Sequence, residues 1–168
     1  VFALLDDAEG GKIPLDTQMA NYALRLLAGS KELDGVEAML QRMKDRGVER
    51  DVVSWTTAIK ACQEANDWAK ALHFLARMEL EGVEPNEITY ATTIHVLGQA
   101  GRWEEAIKVL DRMEAKGLRN VVAFTSAMAA CEMGQAYEEG LRTWKRMLKA
   151  GVKVTLPAID VVLKICLK

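Results

Sequence analysis

Proline is scarce in this chain, three residues in 168, so a Pro-rich extended segment is excluded. Cysteine is equally scarce, and neither a CxxC nor a Cys/His ligand spacing accompanies Cys62, Cys131 and Cys166. Zinc-site and disulfide-framework readings fall with that observation, and unpaired cysteines point to a reducing compartment. The two histidines, His73 and His95, stand far apart with no nucleophile in register, so no catalytic pair is read from them. No apolar run approaches the roughly 18 residues that a membrane span needs, and membrane insertion is not expected. A basic excess is also missing: the formal net charge is -2 and the pI about 5.8. Proteins that hold nucleic acid by phosphate attraction alone are normally basic. An Arg-rich amphipathic targeting segment is lacking too.

What is present is a period. Met43, Met78, Met113 and Met147 follow one another at steps of 35, 35 and 34 residues. Gly47, Gly82, Gly117 and Gly151 keep the same steps, each four residues after its methionine. Trp55, Tyr90, Phe124 and Ile159 form a third ladder, with steps of 35, 34 and 35. Self-similarity at this period marks an array of stacked supersecondary units, whose stability is a sum over units and neighbour interfaces.

Each unit reads as two helices. In 52–86, Trp55, Ala58, Ile59 and Cys62 recur at i, i+3, i+4, i+7, the stripe of an amphipathic helix with Asp51 as its N-cap. The break is at Asn66-Asp67. A second stripe follows through Trp68, Ala71, Leu72, Leu75 and Met78, stopped by Gly82 and then Pro85. Helices of about 12 to 15 residues with so short a turn must lie antiparallel. Unit 87–120 repeats the plan with Tyr90, Thr93, Ile94 and Leu97, then Trp103, Ala106, Ile107, Leu110 and Met113. Unit 121–155 has Phe124, Ala127, Met128 and Cys131, then Tyr137, Leu141, Trp144 and Met147. Unit 17–51 is a weaker copy, with Ala20, Ala23, Leu24 and Leu27, then Leu33, Val36, Leu40 and Met43. Residues 1–16 align with a second helix and 156–168 with a first helix, two half repeats that mark a fragment of a longer array.

The register absorbs most residues that would otherwise suggest chemistry. The three cysteines share the last apolar slot of a first helix with Leu27 and Leu97, the place of a small buried hydrophobe. Glu104-Glu105 and Glu138-Glu139 open second helices, where carboxylates complement the helix dipole. Trp68 and Trp103 share a packing slot with Tyr137 and Leu33. No catalytic residue, metal ligand or cofactor site is read, and the chain is not expected to be an enzyme.

Ile88-Thr89-Tyr90, then Gly101-Arg102-Trp103-Glu104-Glu105-Ala106, Met113 and Gly117, resemble the pentatricopeptide repeat, as does Val52 through Pro85-Asn86. The tetratricopeptide repeat instead places glycine midway along the first helix and alanine late in the second. Ile59 or Ile94 and Met78 or Met113 stand there in this chain. The resemblance covers residues 17 to 168 and is strongest in 52–86 and 87–120. It implies an all-α fold, a right-handed superhelical solenoid of antiparallel helical hairpins in repeats of about 35 residues. It also implies binding of single-stranded RNA, one base per repeat, in mitochondrial or plastid RNA metabolism.

In that family the fifth and last residues of a repeat choose the base and an apolar second residue packs on its faces. The resemblance therefore assigns base recognition to Asn21 with Asp51, Thr56 with Asn86, Ala91 with Asn120, and Thr125 with Thr155. The first pair would prefer uracil and the second adenine. Alanine cannot donate in the third, and the fourth is outside the common combinations. Base stacking falls to Val53, Ile88 and Val122, while Gln18 and Pro157 depart from the apolar pattern. Unit 87–120 is one residue short just before Asn120, which would displace that side chain. The lysine that often reaches phosphate late in the first helix is replaced by Gly29, Glu64, Gln99 and Met133. Arg25, Lys60 and His95, one turn beyond the base-choosing residues, are the candidate phosphate contacts. These departures and the acidic balance motivate a second expectation, a structural subunit bound to protein partners in a large organellar assembly. No small-molecule substrate is expected.

Overall fold

The structure, a computed structural model, describes residues 15–30 and 33–168. Most of the half repeat expected over 1–16 lies outside the described residues. These fold into nine α-helices with no strand among them. The chain divides into two compact units, residues 1–84 and 85–168.

The first unit holds α1 (Thr17–Gly29), α2 (Leu33–Asp45), α3 (Val52–Ala65) and α4 (Trp68–Leu80). Here α1 packs on α2 and on α3, and α3 packs on α2 and α4. The second unit holds α5 (Glu87–Gln99), α6 (Trp103–Ala115), α7 (Val121–Met133), α8 (Tyr137–Lys149) and α9 (Leu156–Cys166). Its α7 is central, packed against α5, α6, α8 and α9. In both units consecutive first helices touch, while the second helices do not pack on each other in this way. Long charged side chains span the second helices instead. Lys70 on α4 reaches Asp34 and Glu37 of α2 at 3.3 and 3.2 Å, and Arg146 on α8 reaches Asp111 of α6 at 2.5 Å and also Glu114.

The methionine and glycine ladders keep a constant offset because both belong to one helix-ending motif. Gly47, Gly82, Gly117 and Gly151 have φ of 66, 76, 74 and 70°, the left-handed conformation that glycine adopts without a Cβ penalty. The amide after each glycine donates back to the methionine carbonyl: Val48 to Met43 at 2.8 Å, Val83 to Met78 at 3.0 Å, Leu118 to Met113 and Val152 to Met147 at 3.2 Å. This is the Schellman arrangement. The four methionine side chains are fully buried, so one short motif both stops the helix and anchors it. Where a first helix ends in the same way, Asn66 and Gln135 take the left-handed position at φ of 55 and 58°.

Trp55, Tyr90 and Phe124 are fully buried, as their ladder requires; Ile159 on α9 remains 39% exposed. Trp55 packs by Phe74, and the guanidinium groups of Arg50 and Arg77 lie 5.7 and 5.5 Å from its ring centroid. Glu81 holds Arg50 at 2.8 Å, so the arrangement adds cation–π attraction to burial.

The packed face of α8 differs from the expected stripe. Gly140, Thr143 and Met147 are buried, whereas Tyr137, Leu141 and Trp144 are half-buried. The cause is α9: a Cβ on Gly140 would lie 2.6 Å from Ile165 Cδ1, so the helix turns its smallest residue toward that neighbour. Phe74 and Val109 likewise join the core, while Leu72 and Ile107 are only half-buried.

Candidate functional site

The residues expected at the ends of the repeats are helix N-caps. Asp51 precedes α3 and its Oδ1 accepts from the Ser54 amide at 2.9 Å; Asn86 precedes α5 and accepts from Thr89 at 2.9 Å. Each satisfies an amide that the helix itself cannot pair. Asn120 precedes α7 but bonds the Val122 amide at 2.8 Å and Ala123 at 3.3 Å, one position earlier in the helix. Its φ and ψ of -142 and 124° also differ from -97 and -178° at Asn86. The missing residue before Asn120 thus appears as a rotated cap. Thr155 precedes α9 with no side-chain cap bond.

In the first unit the structure brings Asn21 and Asp51 together. The Asn21 side-chain amide donates to Asp51 Oδ1 at 3.1 Å and Oδ2 at 3.3 Å. Ser54, fully buried, places its hydroxyl 2.6 Å from Asn21 Oδ1 as donor and 3.0 Å from Asp51 Oδ1. Asn21 is itself only 6% exposed. Burial alone would raise the Asp51 carboxyl, but hydrogen bonds from the Ser54 amide and the Asn21 side chain, with the Ser54 hydroxyl close by, outweigh it and hold it below the ordinary 3.8. Ser54 was not among the residues singled out from the sequence, where the second, fifth and last residues of each repeat and the nearby cations were followed. Its signal was there: a small hydroxyl residue three positions after a capping aspartate.

The other pairs are less alike. Thr56 is half-buried on α3 and Asn86 is exposed on the second unit. Ala91 is 5% exposed, and its methyl side chain offers no hydrogen-bonding atom. The Thr125 hydroxyl donates to the Val121 carbonyl at 2.8 Å, one turn back along α7. Val53, Ile88 and Val122 sit in the first turns of α3, α5 and α7 as exposed large apolar side chains, and Gln18 and Pro157 are exposed in the matching places.

Among the candidate cations, Arg25 and Lys60 are exposed and border one open cavity of about 490 Å³. Ala28, Gly29, Thr57 and Glu64 complete its lining, so α1 and α3 present a shared polar face. His95 is placed differently. Its Nδ1 lies 3.2 Å from the Ser126 hydroxyl on α7, which ties the ring between two first helices. Cys62 and Cys131 are buried, and burial first, with carboxylates nearby, pushes both thiols up to about 12. Cys166 is exposed, which corrects the reading of all three as buried.

Two family models match this arrangement of hairpins: the PPR repeat family model over residues 50–99 and the PPR repeat model over 88–118. Residues 50–118 carry pentatricopeptide repeats. It is similar to the pentatricopeptide repeat protein PPR10 from maize, at 27% identity over 98% of this chain with a TM-score of 0.74. The structure of PPR10 in complex with an 18-nt psaJ RNA element matches at 26% identity over 97% of this chain, TM-score 0.77. This chain spans 24% of the length of either. The PPR domain of Arabidopsis thaliana protein-only RNase P 1, in complex with tRNA, matches with a TM-score of 0.80. Its identity is 14% over 99% of this chain and 89% of that one, so it bears on the fold alone. No curated protein matches in sequence. The pentatricopeptide scaffold accounts for the all-α helical-repeat fold and its three ladders. No helix among the described residues is long and apolar enough to cross a membrane.

Proposed function

We propose that this pentatricopeptide chain is a single-stranded RNA-binding repeat module of organellar RNA metabolism, taking one base per repeat on its first helices. The observation that carries the reading is the contact between Asn21 and Asp51, 3.1 Å apart at the junction of consecutive first helices. An amide donor beside an ionised acceptor suits the Watson–Crick edge of uracil, which offers a carbonyl acceptor next to an N–H donor. Exposed Val53 in the next first turn supplies an apolar surface for a base face. Arg25 and Lys60 add local positive charge that the net charge of -2 conceals. PPR10, the relative solved with an RNA element, supports the same ligand class. The site residues are then Asn21, Asp51, Thr56, Asn86, Thr125 and Thr155 for base choice, with Ala91 and Asn120 contributing least. Fluorescence anisotropy with unstructured U-rich RNA at low salt tests the reading. Binding that weakens steeply with salt is expected; no binding by the full natural array overturns it.

A second reading, a structural subunit that meets protein in a large organellar assembly, draws on the second unit. There Ala91 is buried, His95 is bonded to Ser126, and Leu156 and Leu163 are exposed. Cross-links that map only to protein in the native complex would favour it.

A further inference from the structure

We propose that Ser54 is the positioning residue for Asn21, fixing the tilt of its amide so that one N–H is held out toward a base. The inference rests on the base-reading role given to Asn21 above. Nδ2 lies within hydrogen-bond reach of both oxygens of the single Asp51 carboxylate, 3.1 and 3.3 Å. One N–H serves the two oxygens as a three-centre bond and the other is left for a ligand. Asp51, an acceptor only, decides which end of the amide faces it. It does not decide the tilt, because a carboxylate with two oxygens accepts over a broad arc. The far end of the amide is gripped by Ser54: its hydroxyl donates to Asn21 Oδ1 at 2.6 Å.

Ser54 is itself held from several sides. It is fully buried, its backbone amide is bound to Asp51 Oδ1 at 2.9 Å, and its hydroxyl lies 3.0 Å from the same oxygen. The cap of α3 and the orientation of a residue on α1 are therefore one network. Its removal leaves the Oδ1 of a nearly buried amide without its donor, a state that drives the side chain toward solvent.

The register shows where the device stops. Thr89, Ala123 and Ala158 occupy the place of Ser54 after the later caps. Thr89 keeps the hydroxyl and donates to Asn86 Oδ1 at 3.0 Å. Ala123 and Ala158 cannot donate, so the pairs Ala91 with Asn120 and Thr125 with Thr155 have no such lock. The geometry makes the Asn21 and Asp51 pair the pre-organised reader of this chain, which lowers the ordering cost at binding.

Two measurements on the full chain test this. In the free protein, NMR of the Asn21 side-chain amide reads its immobilisation without any RNA. S54A is expected to shift the two N–H resonances toward solvent-like values and speed their exchange, and S54T, which copies Thr89, to restore them. Anisotropy with four short unstructured RNAs, differing only in the base opposite this repeat, reads the consequence. S54A is expected to reduce the preference for uracil about fivefold to tenfold while leaving the weaker three affinities nearly unchanged; S54T recovers it. Unchanged Asn21 resonances in S54A overturn the positioning role. So does an equal loss of affinity for all four RNAs, which is the mark of a merely structural serine. If S54A shows the shifted resonances but the wild type has no base preference, the base-reading role of Asn21 fails, and the specificity role of Ser54 with it.

Discussion

Gly98 on α5 lies against the backbone carbonyl of Ser126 on α7, so close that a Cβ would stand 2.9 Å from that oxygen. A backbone oxygen inside a helix cannot swing aside as a side-chain tip does. Gly98→Ala should therefore force the two first helices apart and destabilise the second unit by about 1–3 kcal/mol. Gly29, at the end of α1, has nothing within 4 Å of the same ideal Cβ. Gly29→Ala should be neutral or stabilising by up to about 1 kcal/mol through helix propensity. Urea melts of the two variants check the contrast, and equal effects would contradict the close approach.

The core predicts a second contrast. Leu75 on α4 is fully buried, and its truncation to alanine should cost about 2–5 kcal/mol. Ile107 on α6 belongs to the corresponding sequence stripe, one turn nearer the start of its helix, but is half-buried. Ile107→Ala should fall below that range, because part of its surface already meets water. Thermal unfolding of both variants decides whether stripe position or observed burial governs the loss.

That difference shows where the sequence was legible. The methionine, glycine and aromatic ladders specified hairpins, breaks and most buried residues, because each records a local motif repeated with one geometry. The break at Asn66-Asp67 and the cap at Asp51 were readable for the same reason. Less legible was anything set by a neighbouring repeat. The stripe of α8 gave no sign that Ile165 would turn Gly140 inward, or that His95 would bond Ser126 across to α7. The slot shared by the cysteines also hid that Cys166 is exposed. At the candidate site the pair Asn21 and Asp51 was foreseen by resemblance, whereas the serine that links them was not.

The Asp51 carboxyl connects the site to acid stability. Its value in the folded chain lies below the ordinary 3.8, where burial is outweighed by the bonds from Ser54 and Asn21. A carboxyl depressed on folding binds its proton more weakly in the native state, so the unfolded chain takes up more protons in acid. Its stabilisation is complete above the ordinary value and is lost as pH falls through the folded one. Asp51→Asn keeps a capping oxygen but removes the charge, and should flatten this contribution below pH about 4. Asp51→Ala also loses the cap and should cost about 0.5–2 kcal/mol near neutrality. Melting of wild type and both variants across the acid range tests the sign.

Salt dependence separates the cationic residues from the rest of the site. Arg25 and Lys60 border the open cavity on α1 and α3, while His95 is held by Ser126. For single-stranded RNA the logarithm of the binding constant falls with the logarithm of salt by about 0.7 per phosphate neutralised. Replacing both Arg25 and Lys60 with glutamine should therefore reduce the slope by about 1.4, weaken binding at low salt and leave base preference intact. His95→Gln should hardly change the slope. Melting should be nearly unaffected by the double replacement, since both side chains are exposed. Anisotropy titrations at several salt concentrations give the slopes, and an unchanged slope in the double variant would exclude these two residues as phosphate contacts.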